Sequence, residues 1–411
     1  LRQAFRFSLL AKQALCTKCC MAFRLSLSPD YLQHLDATTP SSPVADHRPL
    51  CYHPLMNHVY MLRCADGSLY TGWTNSLEKR LKDHGEGRGA KYTRSRLPVL
   101  LVYQEECETP TAARKREMAI KGLPRQAKLA LVARYEDLLS QAREKLIAWG
   151  LKPDTLLLLR EKQGIALFRL SAGGEQLVLK LFLGEFGREE LFFYKLLAQA
   201  GLPTLKLLQK DETALLMADL DFSDTLAPAT LDAAKDPAVM GALGAWYRAL
   251  HQLEVGEGDG IGLSAEWQAL SFSNLENANQ VHGDKPAWRR LHPLLVDLLE
   301  QAASLPLRLC YNDFHPVNLV TGRQEALAFM MDYGRMGLNH PAVDLNNALR
   351  FSDEAGRAAF LAAYGLTWPR QETWSTLLPP LMDVLMGVAG GECALFSEEY
   401  DQALRRFIGK E

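Results

Sequence analysis

Three acidic residues and one amide in the C-terminal half of the chain have types and spacing suited to phosphate chemistry. Asp313 is followed five residues later by Asn318, and Asp332 and Asp344 come next in the same stretch. Carboxylate and amide oxygens are ligands that divalent cations such as Mg²⁺ take, and a carboxylate can accept the proton of a hydroxyl group. Each aspartate alone would more often cap a turn, so the prediction rests on their occurring together.

A second set of polar residues lies nearer the N-terminus and combines aromatic hydroxyls, a guanidinium, an imidazole and a carboxylate. Its members are Tyr60, Tyr70, Arg80, His84 and Glu117. These groups are suited to binding phosphate, because a hard cation prefers a carboxylate and a guanidinium pairs with phosphate oxygens. Taken singly, the tyrosines would be ordinary strand residues and the charged residues ordinary members of solvated helix faces.

Alternation and turn signals predict the strands that carry the N-terminal set. The runs at 58–63 and 68–73 alternate and are rich in β-formers, and Asp66-Gly67 between them predicts a β-hairpin. A third strand is predicted over 99–103.

Two helix starts are predicted in the same segment. Asn75 with Glu78 three residues later has the pattern of a capping box. Thr109 is predicted to cap a later helix, with Pro110 at the first helical position, where its missing N–H has no consequence.

The segment that follows has the order hairpin, lysine-bearing strand and glutamate-bearing helix. The predicted strands cover 155–160, 165–170 and 176–182. Lys180 lies near the end of the third strand, and Glu189 and Glu190 lie in the first half of the helix. A lysine that reaches nucleotide phosphates needs an anion to hold it, and this order supplies one. The turn at 161–164 has a single glycine and is a weak match to a phosphate-covering loop.

The N-terminal segment resembles the GIY-YIG nuclease superfamily, specifically its short single-domain members. The resemblance rests on the runs VYM, YTG, KRLKDH, AKYTRSRLP and REMAIKGL, which occur in the family's order. Both signature tyrosines and the second signature glycine are present, whereas the first glycine is absent. This resemblance implies a small α/β module, a three-stranded antiparallel sheet with helices, that cleaves phosphodiesters with one divalent metal ion.

The same resemblance implies a role for each residue of the N-terminal set. Glu117 would hold Mg²⁺ or Mn²⁺, and Arg80 would neutralise charge that develops on the scissile phosphate. Tyr60 or Tyr70 would orient or deprotonate the attacking water, with His84 as the competing base. A basic module that only binds nucleic acid would keep the same fold, so both interpretations stay open.

The C-terminal half resembles the aminoglycoside phosphotransferase and choline kinase superfamily. The resemblance rests on LCYNDFHPVNLV, MMDYGRMGLNHPAVDL and GAWYRALHQL, together with Lys180 and the helix that follows it. Tyr311 stands where that family usually has histidine, at a position that supports the catalytic loop. The resemblance implies a bilobal protein-kinase-like fold that binds ATP and Mg²⁺.

The same resemblance implies roles for the residues of the C-terminal set. Asp313 would accept the proton of the substrate hydroxyl, and Asn318 and Asp332 would hold Mg²⁺ against the ATP phosphates. Asp344 would brace the catalytic loop, and residues 215–220 would form the hinge that reads adenine.

Lys180 would position the ATP phosphates, paired with Glu190, with Glu189 as the alternative partner. Because all the polar positions are present, an active kinase is favoured over a degraded pseudokinase.

Charge is distributed unevenly along the chain. Residues 57–132 contain 14 lysines and arginines against eight aspartates and glutamates, whereas residues 133–411 contain 26 against 37. The basic segment predicts a nucleic-acid partner, with DNA preferred, and the acidic remainder suits a cationic small-molecule acceptor. The sequence has no apolar run long enough to span a membrane, and its eight scattered cysteines indicate reduced thiols. We therefore expect a cytoplasmic protein with no membrane partner.

The predicted organisation is α+β with two domains. A leader at 1–56 is predicted to be disordered or non-native, and is followed by a nuclease-like domain at 57–135 and a kinase-like domain at 140–411. The kinase-like domain would have an N-lobe at about 150–220 and a C-lobe at about 221–411. A long amphipathic helix at 124–149 spans the boundary. Three interpretations of the whole chain stay open: a bifunctional enzyme, a kinase with a module that only binds nucleic acid, and two joined reading frames with no coupling between the halves.

Overall fold

The computed structural model describes residues 57–107, 109–184, 187–255, 261–365, 371–387 and 394–409. The predicted leader at 1–56 lies outside the described residues. By their contacts, the described residues form a first unit within 57–196 and 204–228 and a second unit within 197–203 and 229–409. Within the described ranges, no helix combines the length and the apolar character that crossing a bilayer requires.

The first unit begins with a three-stranded antiparallel sheet in the order β2-β1-β3. The strands are β1 (Asn57–Cys64), β2 (Leu69–Thr74) and β3 (Val99–Cys107). In the turn between β1 and β2, Asp66 accepts hydrogen bonds from the backbone N–H and the hydroxyl of Ser68. The predicted hairpin and sheet are confirmed, and Tyr60 lies opposite Gly72 on one side and Gln104 on the other.

Helices follow the hairpin and the third strand. They are α1 (Leu77–Gly85), α2 (Lys91–Arg94), α3 (Pro110–Gly122) and α4 (Arg125–Ala148). Thr109 caps α3 as predicted, since its side chain accepts a hydrogen bond from the backbone N–H of Ala112. The predicted Asn75 cap is wrong: Ser76 precedes α1, because the Thr74 hydroxyl bonds with the Ser76 backbone and forms a local turn there.

Helix α4 belongs to a hydrophobic core that continues from the three-stranded sheet into the next sheet of the same unit. Its buried side chains are Val132, Tyr135, Leu138, Ala142 and Leu146. Their spacing of three or four residues places them on one helix face. The same core contains residues of β1, β3 and α3 and of the strands that follow α4. The boundary predicted between residues 135 and 140 therefore falls within a helix that packs against both segments.

The next sheet is five-stranded and antiparallel, in the order β4-β5-β6-β8-β7. The first unit's remaining elements are β4 (Thr155–Lys162), β5 (Ile165–Ala172), β6 (Glu175–Phe182), α5 (Gly187–Gln199), β7 (Leu207–Asp211), β8 (Ala214–Ala218) and β9 (Leu226–Pro228). The three predicted strands and the helix after them are confirmed. Two ion pairs join α4 to this sheet, Arg134 with Glu161 at 2.6 Å and Lys145 with Asp211 at 2.9 Å.

The second unit is mainly helical. Its elements are α6 (Pro237–His251), α7 (Ala265–Ala269), α8 (Phe272–His282), α9 (Pro286–Ala302), β10 (Arg308–Cys310), β11 (Leu319–Gly322), β12 (Ala328–Met330), β13 (Gly337–Asn339), α10 (Pro341–Leu349), α11 (Glu354–Tyr364), α12 (Gln371–Leu385) and α13 (Glu398–Ile408). Strand β10 pairs with β13 and β11 with β12, both antiparallel. These two short pairs carry the loops in which the predicted acidic residues lie.

Two helix packings hold those loops in place. Helices α8, α9, α12 and α13 bury a core around Trp288. Helix α6 lies so close to α11 that a Cβ at Gly244 would be 2.3 Å from the Phe360 carbonyl oxygen. Only glycine permits this approach, which brings His251 at the end of α6 to within hydrogen-bond distance of Tyr364.

Candidate functional site

Three of the predicted nuclease residues meet at the Tyr60 hydroxyl. Arg80 Nε donates to Tyr60 Oη at 3.1 Å, and His84 Nε2 lies 2.9 Å from the same oxygen. Arg80 and His84 are one turn apart on α1, whereas Tyr60 is on the central strand β1. Tyr70 joins them, with its ring centroid 5.1 Å from that of His84. The structure therefore brings together four of the five residues predicted for this site.

Two glycines make room for these side chains. A Cβ at Gly72 would lie 2.7 Å from the Tyr60 hydroxyl oxygen, and a Cβ at Gly89 would lie 2.5 Å from His84 Nδ1. Such distances are far below normal contact, so any side chain there would displace the site. The glycine of the second signature tripeptide is therefore required because its missing Cβ lets Tyr60 sit against the backbone of β2.

Burial keeps both Tyr60 and His84 uncharged near neutral pH. Burial raises the pKa of Tyr60 to about 12, although the neighbouring Arg80 charge opposes that rise. Burial lowers the pKa of His84, and the Arg80 charge lowers it further while Asp83 opposes the shift. Both side chains are fully enclosed. The two ring nitrogens of His84 are bonded to Tyr60 and to Thr93, so neither is free to bind another group.

Residues in α2 and just after it complete the surroundings of His84. The Thr93 hydroxyl lies 2.7 Å from His84 Nδ1 and 3.0 Å from the Ala90 carbonyl oxygen. The Tyr92 ring is stacked on Tyr70 with centroids 6.1 Å apart, and the Arg96 guanidinium lies 4.2 Å from the Tyr92 ring centre. The stack of Tyr70, Tyr92 and Arg96 runs from the site to the surface.

Glu117, the predicted metal ligand of this site, lies on α3, which packs against β1 and β2. Its carboxylate accepts a hydrogen bond from Lys121 at 2.8 Å, and its side chain is 15% exposed. The ion pair that the sequence offers as the ordinary alternative is thus present. A carboxylate that is 15% exposed can still bind a hard cation, since its lysine partner is 53% exposed and can move away.

The basic surplus of this segment divides into two groups. Lys91, Arg94, Arg114, Lys115 and Arg125 are exposed. Arg96 and Arg116 are partly buried and are paired with Asp66 at 2.9 Å and with Glu105 at 2.5 Å. The exposed five are the side chains that could neutralise phosphates, whereas the paired two stabilise the module itself.

In the five-stranded sheet, Lys180 and Glu190 form a buried ion pair. Lys180 Nζ lies 2.8 Å from Glu190 Oε1 and 2.6 Å from Oε2, and the two residues are 5% and 1% exposed. Glu189 is exposed, so Glu190 is the partner and the alternative is wrong. A glutamate on the helix reaches the strand because Glu190 occupies the inward position of the first turn of α5. The pair fixes the ammonium group in one place.

In the second unit, Asp344 braces the loop that carries Asp313. Its carboxylate accepts backbone N–H bonds from Tyr311 at 2.7 Å and Asn312 at 2.9 Å and lies 3.2 Å from His251 Nε2. The Tyr311 hydroxyl also donates to the Met331 carbonyl oxygen. Both predicted supporting roles, that of Asp344 and that of Tyr311, are confirmed, because each ties the loop to a neighbouring element.

Asp313 faces a small group of charges. Arg335 Nη1 lies 3.2 Å from Asp313 Oδ1, and Arg335 Nη2 lies 3.0 Å from Glu266 Oε1. Burial raises the pKa of Asp313 to about 6, with Asp332 and Glu266 adding to the rise and Arg335 opposing it. Asp313 is thus ionised at neutral pH and is a stronger base than an exposed aspartate.

The predicted Mg²⁺ ligands Asn318 and Asp332 lie on adjoining segments. The backbone N–H of Met331 donates to the Asn318 carbonyl oxygen at 2.8 Å, and Asp332 follows with φ of 65°. The Asn318 amide nitrogen donates to the Asp313 carbonyl oxygen at 3.3 Å, which leaves the amide oxygen as the acceptor atom of this side chain. An amide oxygen and a carboxylate fit the oxygen ligands that Mg²⁺ takes.

Sequence reasoning missed Thr93, Glu266 and Arg335. Thr93 lies among several basic residues, and the signal read from that segment was its positive charge. Glu266 and Arg335 are 69 residues apart, so no local pattern connects them. The one available signal was Arg335 itself, a cation three residues after a predicted metal ligand.

Comparison with known proteins finds two different families in two segments of the chain. The model of the GIY-YIG catalytic domain matches residues 56–130, and that of the phosphotransferase enzyme family matches residues 164–377. A UPF0213 protein of Clostridium perfringens is 59% identical over 78 residues, which cover 19% of this chain and 84% of that protein. A UPF0213 protein of Streptococcus sanguinis is 55% identical over 75 residues, 18% of this chain and 86% of that protein.

Solved structures of low identity are similar over the C-terminal part. Spectinomycin phosphotransferase APH(9)-Ia, in complex with ADP and spectinomycin, has 13% identity and a TM-score of 0.44, covering 66% of this chain and 93% of that chain. Choline kinase LicA from Streptococcus pneumoniae has 14% identity and a TM-score of 0.45, covering 66% and 99%. On the family matches, the chain belongs to the phosphotransferase enzyme family and carries a GIY-YIG catalytic domain ahead of it.

Proposed function

We propose that the chain is a bifunctional enzyme that cleaves DNA phosphodiesters and phosphorylates a hydroxyl group of a small molecule with ATP. The observation that carries the proposal is that each matched family segment holds a set of mutually positioned reactive groups. Tyr60, Arg80 and His84 share one hydroxyl in the first, and Asp313 is held by Arg335 in the second.

In the proposed nuclease reaction, water attacks the phosphorus and the bond to the leaving oxygen breaks. Tyr60 accepts the proton of the attacking water, and the terminal nitrogens of Arg80 stabilise the charge on the non-bridging oxygens, since its Nε is already bound to Tyr60. Glu117 would hold a divalent cation, which supplies Lewis-acid stabilisation of the leaving oxygen. The exposed basic residues would bind the flanking phosphates.

Cleavage of labelled branched, duplex and single-stranded DNA with Mg²⁺ tests this half. Glu117→Gln should lose most activity, whereas Glu78→Gln, an exposed glutamate on α1, should keep it. Binding should weaken with salt at a log–log slope of roughly −0.9 per phosphate contact on duplex DNA. Cleavage that is unchanged in Glu117→Gln would exclude the assigned metal ligand.

A nucleic-acid-binding module without cleavage is the second candidate, favoured by one observation. Glu117 is paired with Lys121, so its carboxylate already has a cationic partner. In that case wild type and Glu117→Gln would bind DNA with equal affinity and neither would cleave it.

In the proposed kinase reaction, the acceptor oxygen bonds to the γ-phosphorus of ATP as the bond to the β–γ bridging oxygen breaks, which releases ADP. Asp313 accepts the hydroxyl proton at Oδ2, because Oδ1 is bound to Arg335. Lys180, fixed by Glu190, would bind the α- and β-phosphates, and backbone groups of 215–220 would bind adenine. Asn318 and Asp332 would hold Mg²⁺, which supplies neutralisation of the phosphate charge.

The acceptor is proposed to be a cationic or polar small molecule. Asp313 is surrounded by Asp332 and Glu266 with Arg335 as the cation among them, so carboxylates are in excess. ATP turnover should be measured over amino alcohols, thiamine, aminoglycosides, macrolides and neutral polyols, with Asp313→Asn as the control. Absence of Mg·ATP binding by the wild type would remove the kinase half of the proposal.

A further inference from the structure

The hydrogen bonds around His84 determine which ring nitrogen carries the proton. Thr93 has one hydroxyl hydrogen, and its oxygen lies 3.0 Å from the Ala90 carbonyl oxygen and 2.7 Å from His84 Nδ1. Two oxygens at 3.0 Å attract each other only if a hydrogen lies between them, so the hydroxyl donates to the carbonyl. Both contacts are then satisfied only when His84 Nδ1 donates its own hydrogen to Thr93.

The hydrogen-bonding role of the other ring nitrogen, Nε2, follows from this assignment. A neutral imidazole has one N–H, so Nε2 carries a lone pair and accepts from the Tyr60 hydroxyl at 2.9 Å. Arg80 Nε also donates to the Tyr60 oxygen, and this oxygen can accept that bond while its own hydrogen points to His84. Along these bonds the hydrogens therefore point from Tyr60 to His84, from His84 to Thr93 and from Thr93 to Ala90.

The order explains how a buried tyrosine can act as a base. Tyr60 keeps its proton at neutral pH because burial raises its pKa to about 12, so it can take a proton from water only while it releases its own. His84 Nε2 is the atom placed to receive that proton. His84 does not take a proton from water directly, since its Nε2 is bonded to the Tyr60 hydroxyl and its Nδ1 to Thr93.

We propose that Thr93 is a positioning residue that fixes the tautomer of His84, so that Tyr60 passes its proton to His84 Nε2 as it accepts one from the attacking water. This inference rests on the proposed nuclease function. In the step, a proton moves from water to Tyr60 Oη and the Tyr60 proton moves to Nε2, while the phosphorus–oxygen bond forms and the leaving oxygen departs with its electron pair. The resulting imidazolium keeps its bond to Thr93, and after product release Nε2 returns its proton to Tyr60 Oη as Tyr60 gives its own proton to water.

The charged and titratable groups around His84 favour a short-lived imidazolium. Arg80 lies on the same helix and disfavours the charged ring, whereas Asp83 favours it. From other elements, the rings of Tyr60 and Tyr70 face His84 with centroids 5.9 and 5.1 Å away. Since the nearest cation opposes protonation, His84 is returned to its neutral form between turnovers.

The first test reads the tautomer without any activity. The full chain is labelled with ¹⁵N-histidine, and the His84 ring signals are assigned by their loss in His84→Gln. Long-range ¹H–¹⁵N correlation spectra should show hydrogen on Nδ1 and a lone pair on Nε2. Thr93→Val should abolish this fixed state, and Thr93→Ser should restore it. A wild-type spectrum with hydrogen on Nε2 would overturn the proposal whether or not the protein cleaves DNA.

The second test reads catalysis with matched variants. Thr93→Val should lower kcat for DNA cleavage by about 10² with little change in DNA affinity, because it removes only the positioning of the proton acceptor. Thr93→Ser should retain the wild-type rate, and so should Thr111→Val, an exposed threonine on α3. Unaltered Mg·ATP binding by the same sample serves as the control for folding. A wild-type rate in Thr93→Val would refute the relay, whereas absence of cleavage in the wild type would refute the proposed nuclease function instead.

Discussion

Tyr60 and His84 are joined by a hydrogen bond between two uncharged groups, whereas Lys180 and Glu190, in the same compact unit, are joined by an ion pair between two buried charges. The two arrangements respond differently to the loss of a partner. An unsatisfied neutral group costs about 1–3 kcal/mol, but an unpaired buried charge costs about 3–5 kcal/mol. The Lys180 pair should therefore contribute most to holding its site together, and the Tyr60 cluster should contribute mainly to function.

The largest effect is expected for Glu190→Gln. It removes the Glu190 carboxylate from the buried Lys180 ammonium, so the free energy of unfolding should fall by about 3–5 kcal/mol. Glu189→Gln is the matched control, since Glu189 is exposed and should change stability by less than about 0.5 kcal/mol. Urea unfolding of both variants gives the comparison, and equal stabilities would contradict the ion-pair assignment.

A smaller effect is expected for Tyr60→Phe. The change leaves Arg80 Nε and His84 Nε2 without their shared partner, so stability should fall by about 1–3 kcal/mol. Cleavage of DNA should be lost, while ATP turnover should continue. A stability loss as large as that of Glu190→Gln would show that the two sites do not differ in the way described.

The pH dependence of ATP turnover should sharpen the contrast between neutral and charged sites. Asp313 must be ionised to accept a proton, and its pKa is about 6, so turnover should fall as the pH drops through 6. Arg335 lowers this pKa, so Arg335→Gln should move the acid limb to higher pH. Arg357→Gln, an exposed arginine of the second unit, should leave the limb in place. An unmoved limb in Arg335→Gln would contradict the role given to the Arg335 charge.

The smallest effect is expected for Arg134→Ala on the surface of α4. Its ion pair with Glu161 is largely exposed and should contribute less than about 1 kcal/mol. The hydrophobic core shared by α4 and both sheets should keep the first unit unfolding as one. Hydrogen exchange measured separately on β1–β3 and on β4–β8 should therefore show equal global opening free energies in this variant. Separate opening of the two sheets would contradict the shared core.

Much of the fold could be predicted because its signals are local. The Asp66-Gly67 turn, the Thr109 cap and the strand carrying Lys180 each depend on neighbours in sequence, and the structure confirms them. The predicted Asn75 cap is wrong because the Thr74 hydroxyl bonds to the backbone of Ser76, and the helix begins only after Ser76. The site residues were assigned by resemblance to two families, and their catalytic roles stay predictions.

Contacts between distant residues could not be predicted. The pairing of Arg335 with Glu266 depends on how α7 lies against the loop after β12, which no spacing encodes. Thr93 bonds to a histidine nine residues away. Threonine has so many ordinary structural roles that its type alone indicates no function. The core that α4 shares with both sheets could not be predicted either. An amphipathic pattern shows that one face of a helix is buried, but not which elements cover that face.

A single preparation assayed for both activities tests the central claim most directly. Wild type, Glu117→Gln and Asp313→Asn are compared for Mg²⁺-dependent cleavage of DNA and for ATP turnover with the best acceptor. We predict that Glu117→Gln loses only cleavage and Asp313→Asn loses only phosphorylation, each by about 10² or more. Cleavage that persists in Glu117→Gln, or phosphorylation that persists in Asp313→Asn, would contradict the account of two separate catalytic sites.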